Sequence, residues 1–381
     1  MQIAIPRELD PAEPRVAATP ATVGKLVKLG ATVAIEQHLG AGSSIPDAEY
    51  EKAGATIVAD RAALLGKAEI VLSVRKLPVE DMARLAPGTL IAGYYEPLSN
   101  AEGIRAAVTH QLTLISLEYL PRTTRAQKMD ALSSQASLAG YVAVMLAANA
   151  LKKIFPMQMT PAGTLAPSKV FIIGAGVAGL QAIATAHRLG ARVEAFDTRP
   201  VVKEQVQSLG ARFLEIDLGE TGQTAGGYAK ELTPEQLAIQ QEGMAVACAA
   251  SDIVITTAQV FGRKAPVLLK ESVVQRMAPG SVIVDLAVES GGNVEGSVCG
   301  EIVDRNGVTI IGLANLPGRV ATHASQMLSQ NMFNLLDEYW DKKGTKRFVL
   351  NLDDEILTGC VLVHAGDIRN PQVKEAVEKA G

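Results

Sequence analysis

The stretch from Val170 to Asp197 constrains this chain more than any other. An apolar run, Val170-Phe171-Ile172-Ile173, leads straight into Gly174-Ala175-Gly176-Val177-Ala178-Gly179, a Gly-x-Gly-x-x-Gly pattern. A helix-compatible segment follows and ends at Leu189-Gly190. A second β-rich run, Arg192-Val193-Glu194-Ala195-Phe196, then stops on Asp197, 18 residues past Gly179. Strand, glycine turn, helix and acid-ended strand make up the unit that binds a dinucleotide. Gly174 permits the tight turn, Gly176 lets backbone approach a pyrophosphate, and Gly179 lets the helix pack close to the sheet. The helix N-terminus, opened by Val177 and Ala178, faces the anion. Asp197 is placed to accept both hydroxyls of an adenosine ribose and to repel a 2′-phosphate, which favours NAD(H) over NADP(H). Thr198 and Arg199 follow at the same strand end. The cation at Arg199 is the one feature that points toward a 2′-phosphate.

The 381 residues give room for two substantial cores, and 48% hydrophobic with 20% charged residues is the balance of a globular protein. A net charge of −4 gives no electrostatic reason to expect nucleic acid. Cys248, Cys299 and Cys360 have neither metal spacing nor a disulfide framework, which fits a reducing cytoplasm. The five histidines lack ligand spacing too, so no metal site is expected. The N-terminus shows no basic region followed by an apolar one, so no secretion signal is expected. Residues 131–151 carry no charge, but Ser133, Ser134, Gln135, Ser137 and Asn149 interrupt them. The fully apolar part, Leu138 to Ala148, is short for a bilayer, and a buried helix is expected.

A recurring joint organises the rest. It reads Leu29-Gly30-Ala31-Thr32-Val33, Ala53-Gly54-Ala55-Thr56-Ile57, Leu189-Gly190-Ala191-Arg192-Val193 and Leu209-Gly210-Ala211-Arg212-Phe213. Each is a helix ended by a glycine able to take a left-handed cap, with a β-rich run starting at once. This is the signature of alternating parallel α/β units. The expected fold is therefore α/β: two doubly wound, Rossmann-like parallel-sheet domains joined by a long crossing helix from about Asp130 to Ile154. The first domain is expected over residues 1–135 plus 325–381, and the NAD(H)-binding domain over 136–324. Strands are expected near Gln2–Ile5, Thr32–Ile35, Ile70–Val74, Leu90–Ala92 and Leu112–Ile115, and again near Ile253–Thr256, Val282–Asp285 and Val308–Ile311. Residues 155–168, with three prolines and a glycine, are expected to form a loop, and residues 321–339 a helix. A cleft between two such domains is the natural place for a cofactor's reactive end.

Four polar residues gather where the crossing helix starts: Arg122, Gln127, Asp130 and Ser133. The last three recur every third residue and share a helix face. A cation, an amide, a carboxylate and a hydroxyl suit gripping a carboxamide, although Asp130 and Ser133 are also ordinary first-turn residues. The segment 219–231 holds four glycines and Tyr228, and reads either as a lid anchored by that tyrosine or as a plain solvent loop. Further candidates end strands of the nucleotide domain, where ligands lie in doubly wound folds: Thr257, Ala258 and Gln259; Leu286 and Glu289 beyond Asp285; Asn315 and Leu316. Asp285 and Glu289 are equally suited to capping loops. No Ser-His-Asp arrangement, poised base or metal set is readable. Hydride transfer between two nicotinamide rings needs none of these, only two ring carbons held about 3–3.5 Å apart.

With these residues in view, the chain resembles the NAD(H)-binding component, the first segment of a split α subunit, of proton-translocating NAD(P) transhydrogenase. The resemblance is carried by Arg125-Ala126-Gln127-Lys128-Met129-Asp130-Ala131-Leu132-Ser133-Ser134-Gln135, by residues 174–186, by 220–230 with Gly226-Gly227-Tyr228-Ala229-Lys230, and by 285–293. It implies an NAD(P)+ transhydrogenase component that binds NADH and passes hydride directly to NADP+. That NADP(H) sits on a separate NADP(H)-binding component, and a membrane-spanning proton-channel subunit couples the transfer to proton movement. The resemblance maps nicotinamide orientation onto Arg122, Gln127, Asp130 and Ser133, a mobile-loop contact onto Tyr228, and ribose recognition onto Asp197. It also implies a homodimer, located in the cytoplasm and peripheral to the bacterial inner membrane through its partners, with the membrane parts on separate polypeptides. Alanine dehydrogenase is the nearest relative of that family. Its pyruvate-binding arginine matches Arg15, but its substrate-binding lysine falls near Arg75, beside Lys76, and its catalytic histidine near Glu96. A non-catalytic NAD-sensing module is a third reading that the composition allows.

Overall fold

Short, almost continuously apolar strands set the architecture, because parallel strands covered on both faces must be apolar on both. The computed structural model describes residues 1–219 and 232–380. They fall into two compact units, Met1–Gln135 with Gly318–Gly381, and Ala136–Pro317.

In the first unit, β1 (Gln2–Ile5), β2 (Thr32–Glu36), β3 (Thr56–Val58), β4 (Ile70–Leu72), β5 (Leu90–Gly93) and β6 (Thr113–Ser116) pair in parallel in the order β3-β2-β1-β4-β5-β6. Successive side chains of β1 face opposite ways: Ile3 and Ile5 enter one core cluster and Ala4 another.

The second unit contains β7 (Gln158–Thr160), β8 (Gly163–Leu165), β9 (Lys169–Ile173), β10 (Arg192–Phe196), β11 (Arg212–Phe213), β12 (Ile253–Thr256), β13 (Val282–Asp285), β14 (Glu301–Arg305) and β15 (Val308–Gly312). Its large sheet runs β11-β10-β9-β12-β13-β15-β14, parallel except for the edge strand β14. Both sheets reverse their winding at the first strand, between β1 and β4 and between β9 and β12, and such switch points leave a crevice at the carboxyl ends of the strands. The chain then returns to the first sheet, where β16 (Val361–His364) and β17 (Asp367–Ile368) add an antiparallel edge beside β6.

The glycine joints are left-handed at all four positions, with φ of +91° at Gly30, +98° at Gly54, +88° at Gly190 and +82° at Gly210. The crossing helix spans Ala131–Ala150, shorter than expected at its C-terminal end. The doublet Lys152-Lys153 follows it, and Phe155 precedes a proline, which disfavours helical backbone there. The helix is long and apolar enough by composition to cross a membrane. Part of it is nevertheless buried in the protein, including Val142, Ala143, Val144 and Ala147.

The segment expected to be a loop at 155–168 instead holds the β7–β8 hairpin. Pro161 fixes the turn, the Thr160 hydroxyl accepts the Ala162 N–H at 3.2 Å, and Gly163 takes φ +133°. Two three-residue strands are too short to show an alternating pattern in sequence.

Gly140 tests the packing of the second unit. A Cβ there would lie 2.1 Å from the Ala178 carbonyl oxygen, so helix Ala131–Ala150 meets the first turn of helix Val177–Arg188 backbone to backbone. Gly140→Ala gains about 1 kcal/mol of helix propensity, but it overpacks against a main-chain atom that cannot rotate away. The expected net is a destabilisation on the order of 2 kcal/mol, read as a lowered urea midpoint at unchanged slope. A raised midpoint would contradict the close approach.

Candidate nucleotide-binding site

The glycine loop joins β9 to helix Val177–Arg188. Gly174 has φ +99°, and its N–H donates to the Phe196 carbonyl at 2.8 Å. A Cβ on Gly179 would fall 1.9 Å from the Gly174 carbonyl oxygen, so only glycine lets the helix sit this close to the turn. Thr257, just past β12, fastens the turn from the other side of the switch point. Its hydroxyl reaches the carbonyls of Ile173 and Gly174 at 3.3 and 3.1 Å. Gly176 has open space where a side chain would be, with no heavy atom within 4 Å of an added Cβ. Below that space lies the helix end, whose first N–H groups, those of Val177 and Ala178 among them, have no acceptor within the helix. An open backbone cradle over a positive helix end fits a pyrophosphate.

Asp197 stands at the carboxyl end of β10, its side chain 7% exposed. Its Oδ2 accepts the Ala175 N–H at 2.8 Å, which ties the acid to the glycine loop. Arg199 supplies three more donors: its N–H and Nε reach Oδ1 at 2.9 Å each, and Nη2 reaches Oδ2 at 2.8 Å. Those hydrogen bonds to Asp197, with its charge, raise the pKa of the Arg199 guanidinium against the cost of burial. Thr198, between them, is half-buried.

The remaining strand ends are held by two buried residues. Asp285, fully buried at the end of β13, accepts from the Thr256 hydroxyl at 3.2 Å and from the N–H groups of Ala287 and Asn293 at 3.0 Å. Asn293, also fully buried, accepts the Ala258 N–H at 3.1 Å. Its amide donates to the carbonyls of Ala258 and Pro266 at 2.8 Å each. Gln259 bonds the Leu286 carbonyl at 2.9 Å, and Glu289 accepts the Asn315 N–H at 3.1 Å. Asn315 is left-handed, and Leu316 is buried at the start of the turn Leu316–Val320. The candidates after β12, β13 and β15 are thus linked in pairs on one edge of the sheet. Sequence reasoning assigned Asn293 no role. Its signal was Gly291-Gly292, whose φ values of +106° and +81° turn the loop back so that the amide points inward.

In the first unit, the polar group at the helix start divides. Asp130 accepts the Ser133 N–H at 2.9 Å and the Ser133 hydroxyl at 2.5 Å, so this pair caps helix Ala131–Ala150. Gln127 lies exposed on the turn Gln127–Met129, its amide without a hydrogen bond among the described residues, and Arg122 is exposed. Tyr228 lies outside the described residues.

The switch point of the first sheet is closed by ion pairs. Glu13, its side chain fully buried, binds Arg15 at 2.6 Å and Arg75 at 2.8 Å. Arg15 also donates to the Gln135 amide oxygen at 2.9 Å. Burial would raise the Glu13 pKa, but the hydrogen bonds and charges of the two arginines outweigh it and hold the pKa low. Lys76 and Glu96 pair with each other at 3.0 Å. Glu8 accepts the N–H groups of Val74 and Arg75 at the end of β4, and burial pushes its pKa up to about 7. What remains beside it is a small cavity of ≈ 50 Å³.

Comparison with known proteins adds to this geometry. Residues 4–139 match the family model for the alanine dehydrogenase/PNT N-terminal domain, and residues 143–371 that for its C-terminal domain. The chain is 45% identical over 378 residues to the first segment of the NAD(P) transhydrogenase subunit alpha from Rhodospirillum rubrum, covering 97% of this chain and 98% of that one. A crystal structure of transhydrogenase from Sinorhizobium meliloti superposes with a TM-score of 0.85 at 41% identity, over 97% of this chain and 99% of that one. An L-alanine dehydrogenase structure superposes at 0.83 with 27% identity, over the full length of both.

Glu8 gives a pH test. Its carboxyl titrates near 4.5 when unfolded and about 7 when folded, so the folded chain binds the extra proton between those values. Stability from this group falls as pH rises through that window. Glu8→Gln removes the slope. The stability difference between the variant and the parent should shift in the variant's favour as pH rises through the same window, measured by urea unfolding. A difference constant with pH would contradict the raised pKa.

Proposed function

The chain belongs to the alanine dehydrogenase/PNT family, and from that premise we propose that it is the NAD(H)-binding component of a proton-translocating NAD(P) transhydrogenase. One observation carries the reading: an acid at the end of β10, fastened to the glycine loop, beside an open backbone cradle at a helix N-terminus. The cradle takes the pyrophosphate and Asp197 the adenosine ribose, which selects NADH over NADPH. Gln127 and Arg122, with the capped pair Asp130 and Ser133, orient the carboxamide of the nicotinamide. When bound, the nicotinamide supplies the hydride. The protein's task is positional, and it needs no acid or base of its own.

Hydride passes to NADP+ held on a separate NADP(H)-binding component, and a membrane-spanning subunit couples the transfer to proton movement. The protein works in the cytoplasm, peripheral to the inner membrane through these partners. A second copy of the chain covers the β7–β8 hairpin, where Met157, Met159 and Leu165 are 59%, 74% and 54% exposed. The match to L-alanine dehydrogenase favours a second reading, amino-acid oxidation. Against it, the lysine and glutamate where that chemistry would need a free base neutralise each other, and Glu13 engages both arginines.

The parent protein should bind NADH in preference to NADPH by fluorescence titration, and Asp197→Ala should weaken NADH by about 1.5–3 kcal/mol. Equal affinity for both nucleotides would remove the assignment. Alone with NAD+, the chain does not oxidise alanine, and an alanine-dependent rise in NADH absorbance would favour the dehydrogenase. Gln127→Asn and Asp130→Asn keep NADH affinity but lower single-turnover transfer to NADP+ tenfold or more, at least about 1.4 kcal/mol of barrier. Asparagine caps a helix as well as aspartate does, so the fold survives this test. Undiminished transfer in both variants would leave the group a helix start only.

A further inference from the structure

A carboxylate offers about four acceptor positions, and all four on Asp197 are filled. Two of the donors are backbone N–H groups, those of Ala175 and Arg199, set by the glycine loop and the strand end. The other two, Nε and Nη2 of Arg199, belong to one flexible side chain. A ribose diol that gives two hydrogen bonds to this acid must find two positions vacant, and only the guanidinium can leave. The pair is well shielded, at 7% and 15% exposure, so the fork is tightly held rather than a loose surface contact.

We propose that Arg199 is an internal competitor for the adenosine-ribose site: it occupies the ribose's acceptor positions on Asp197 until a nucleotide displaces it, and so sets nucleotide affinity and selectivity. The inference rests on the reading of Asp197 as the ribose acceptor. It has two opposed consequences. For NADH, each binding event breaks the bidentate pair, so Arg199 weakens affinity. For NADPH, the displaced guanidinium lies beside the 2′ position and partly offsets the repulsion between Asp197 and a 2′-phosphate. Arg199 therefore narrows the discrimination that Asp197 alone would give. Lysine keeps the charge without the planar fork and separates the two effects.

The test is calorimetric titration of the full chain and its variants with NADH, NADPH, AMP and 2′,3′-dideoxy-AMP. Arg199→Ala and Arg199→Gln should bind NADH and AMP several-fold more tightly, and NADPH more weakly, so that the NADH/NADPH preference widens tenfold or more. Arg199→Lys should tighten NADH while keeping the parent's NADPH affinity. The gain must vanish for dideoxy-AMP, which has no hydroxyls to compete. It must also vanish in the Asp197→Ala background, where there is no acid to cover. A lowered or unchanged affinity for AMP in Arg199→Ala and Arg199→Gln would overturn the proposal, as would equal effects on AMP and dideoxy-AMP. The failures are separable. If Asp197→Ala binds AMP as tightly as the parent, the ribose reading itself falls and takes this proposal with it. If Asp197→Ala weakens AMP while Arg199→Ala does not tighten it, only the competitor role is lost.

Discussion

The contact between the Gly179 Cα and the Gly174 carbonyl is the constraint on which the nucleotide unit depends. No side chain fits between them, and the 1.9 Å clearance for a hypothetical Cβ shows how little room there is. That closeness brings the end of helix Val177–Arg188 up to the turn and sets the height of the cradle at Gly176. It also brings the Ala175 N–H within reach of Asp197. Gly140 applies the same constraint from the other side, where the long helix rests on the Ala178 carbonyl. Gly174 and Gly179 within the loop, and Gly140 more than thirty residues earlier, thus fix one helix end between a sheet and a second helix.

Two buried carboxylates, Asp285 and Glu13, do the rest of the fastening, and each is saturated by donors. Asp285 holds the loop after β13, and through Asn293 it holds the loop after β12 as well. Glu13 closes the first sheet's switch point between two arginines. Saturation makes these acids structural, because an acceptor with no vacancy cannot receive a ligand until a donor leaves. At Asp285 every donor but the Thr256 hydroxyl is backbone, and none can swing away. At Asp197 half of the donors are one movable side chain. That contrast separates an acid that pins a loop from an acid that can recognise a ribose.

The doubly wound α/β architecture was legible because its signals are local. A glycine able to take positive φ ends each helix at the joints, and fully apolar runs mark strands buried on both faces. The glycine loop and its acid were readable for the same reason, since turn, cradle and acid lie within one short stretch. The β7–β8 hairpin, the edge strand β14 and the C-terminal pair β16–β17 were not read, because short edge strands carry little periodicity. Contacts between distant residues were equally silent: Arg15 with Gln135, Asn293 with Ala258, Glu13 with Arg75. The doublet Asp130-Ser133 shows a further limit. Spacing placed the two on one face, but helix capping and cofactor orientation use the same residues at the same spacing.

If this chain positions a dinucleotide for direct transfer and does no proton chemistry of its own, the hydride reaches NADP+ without exchanging with water. Deuterium tracing tests it most directly. The purified chain is loaded with NADH dideuterated at C4 and mixed with an NADP(H)-binding component carrying NADP+, and the NADPH formed is weighed by mass spectrometry. One deuterium retained in every NADPH, in a single turnover and in ordinary water, is the expected result. NADPH without deuterium would place a solvent-exchanging intermediate between the rings, and absence of NADPH under saturating partner would show that the chain binds the nucleotide for another purpose.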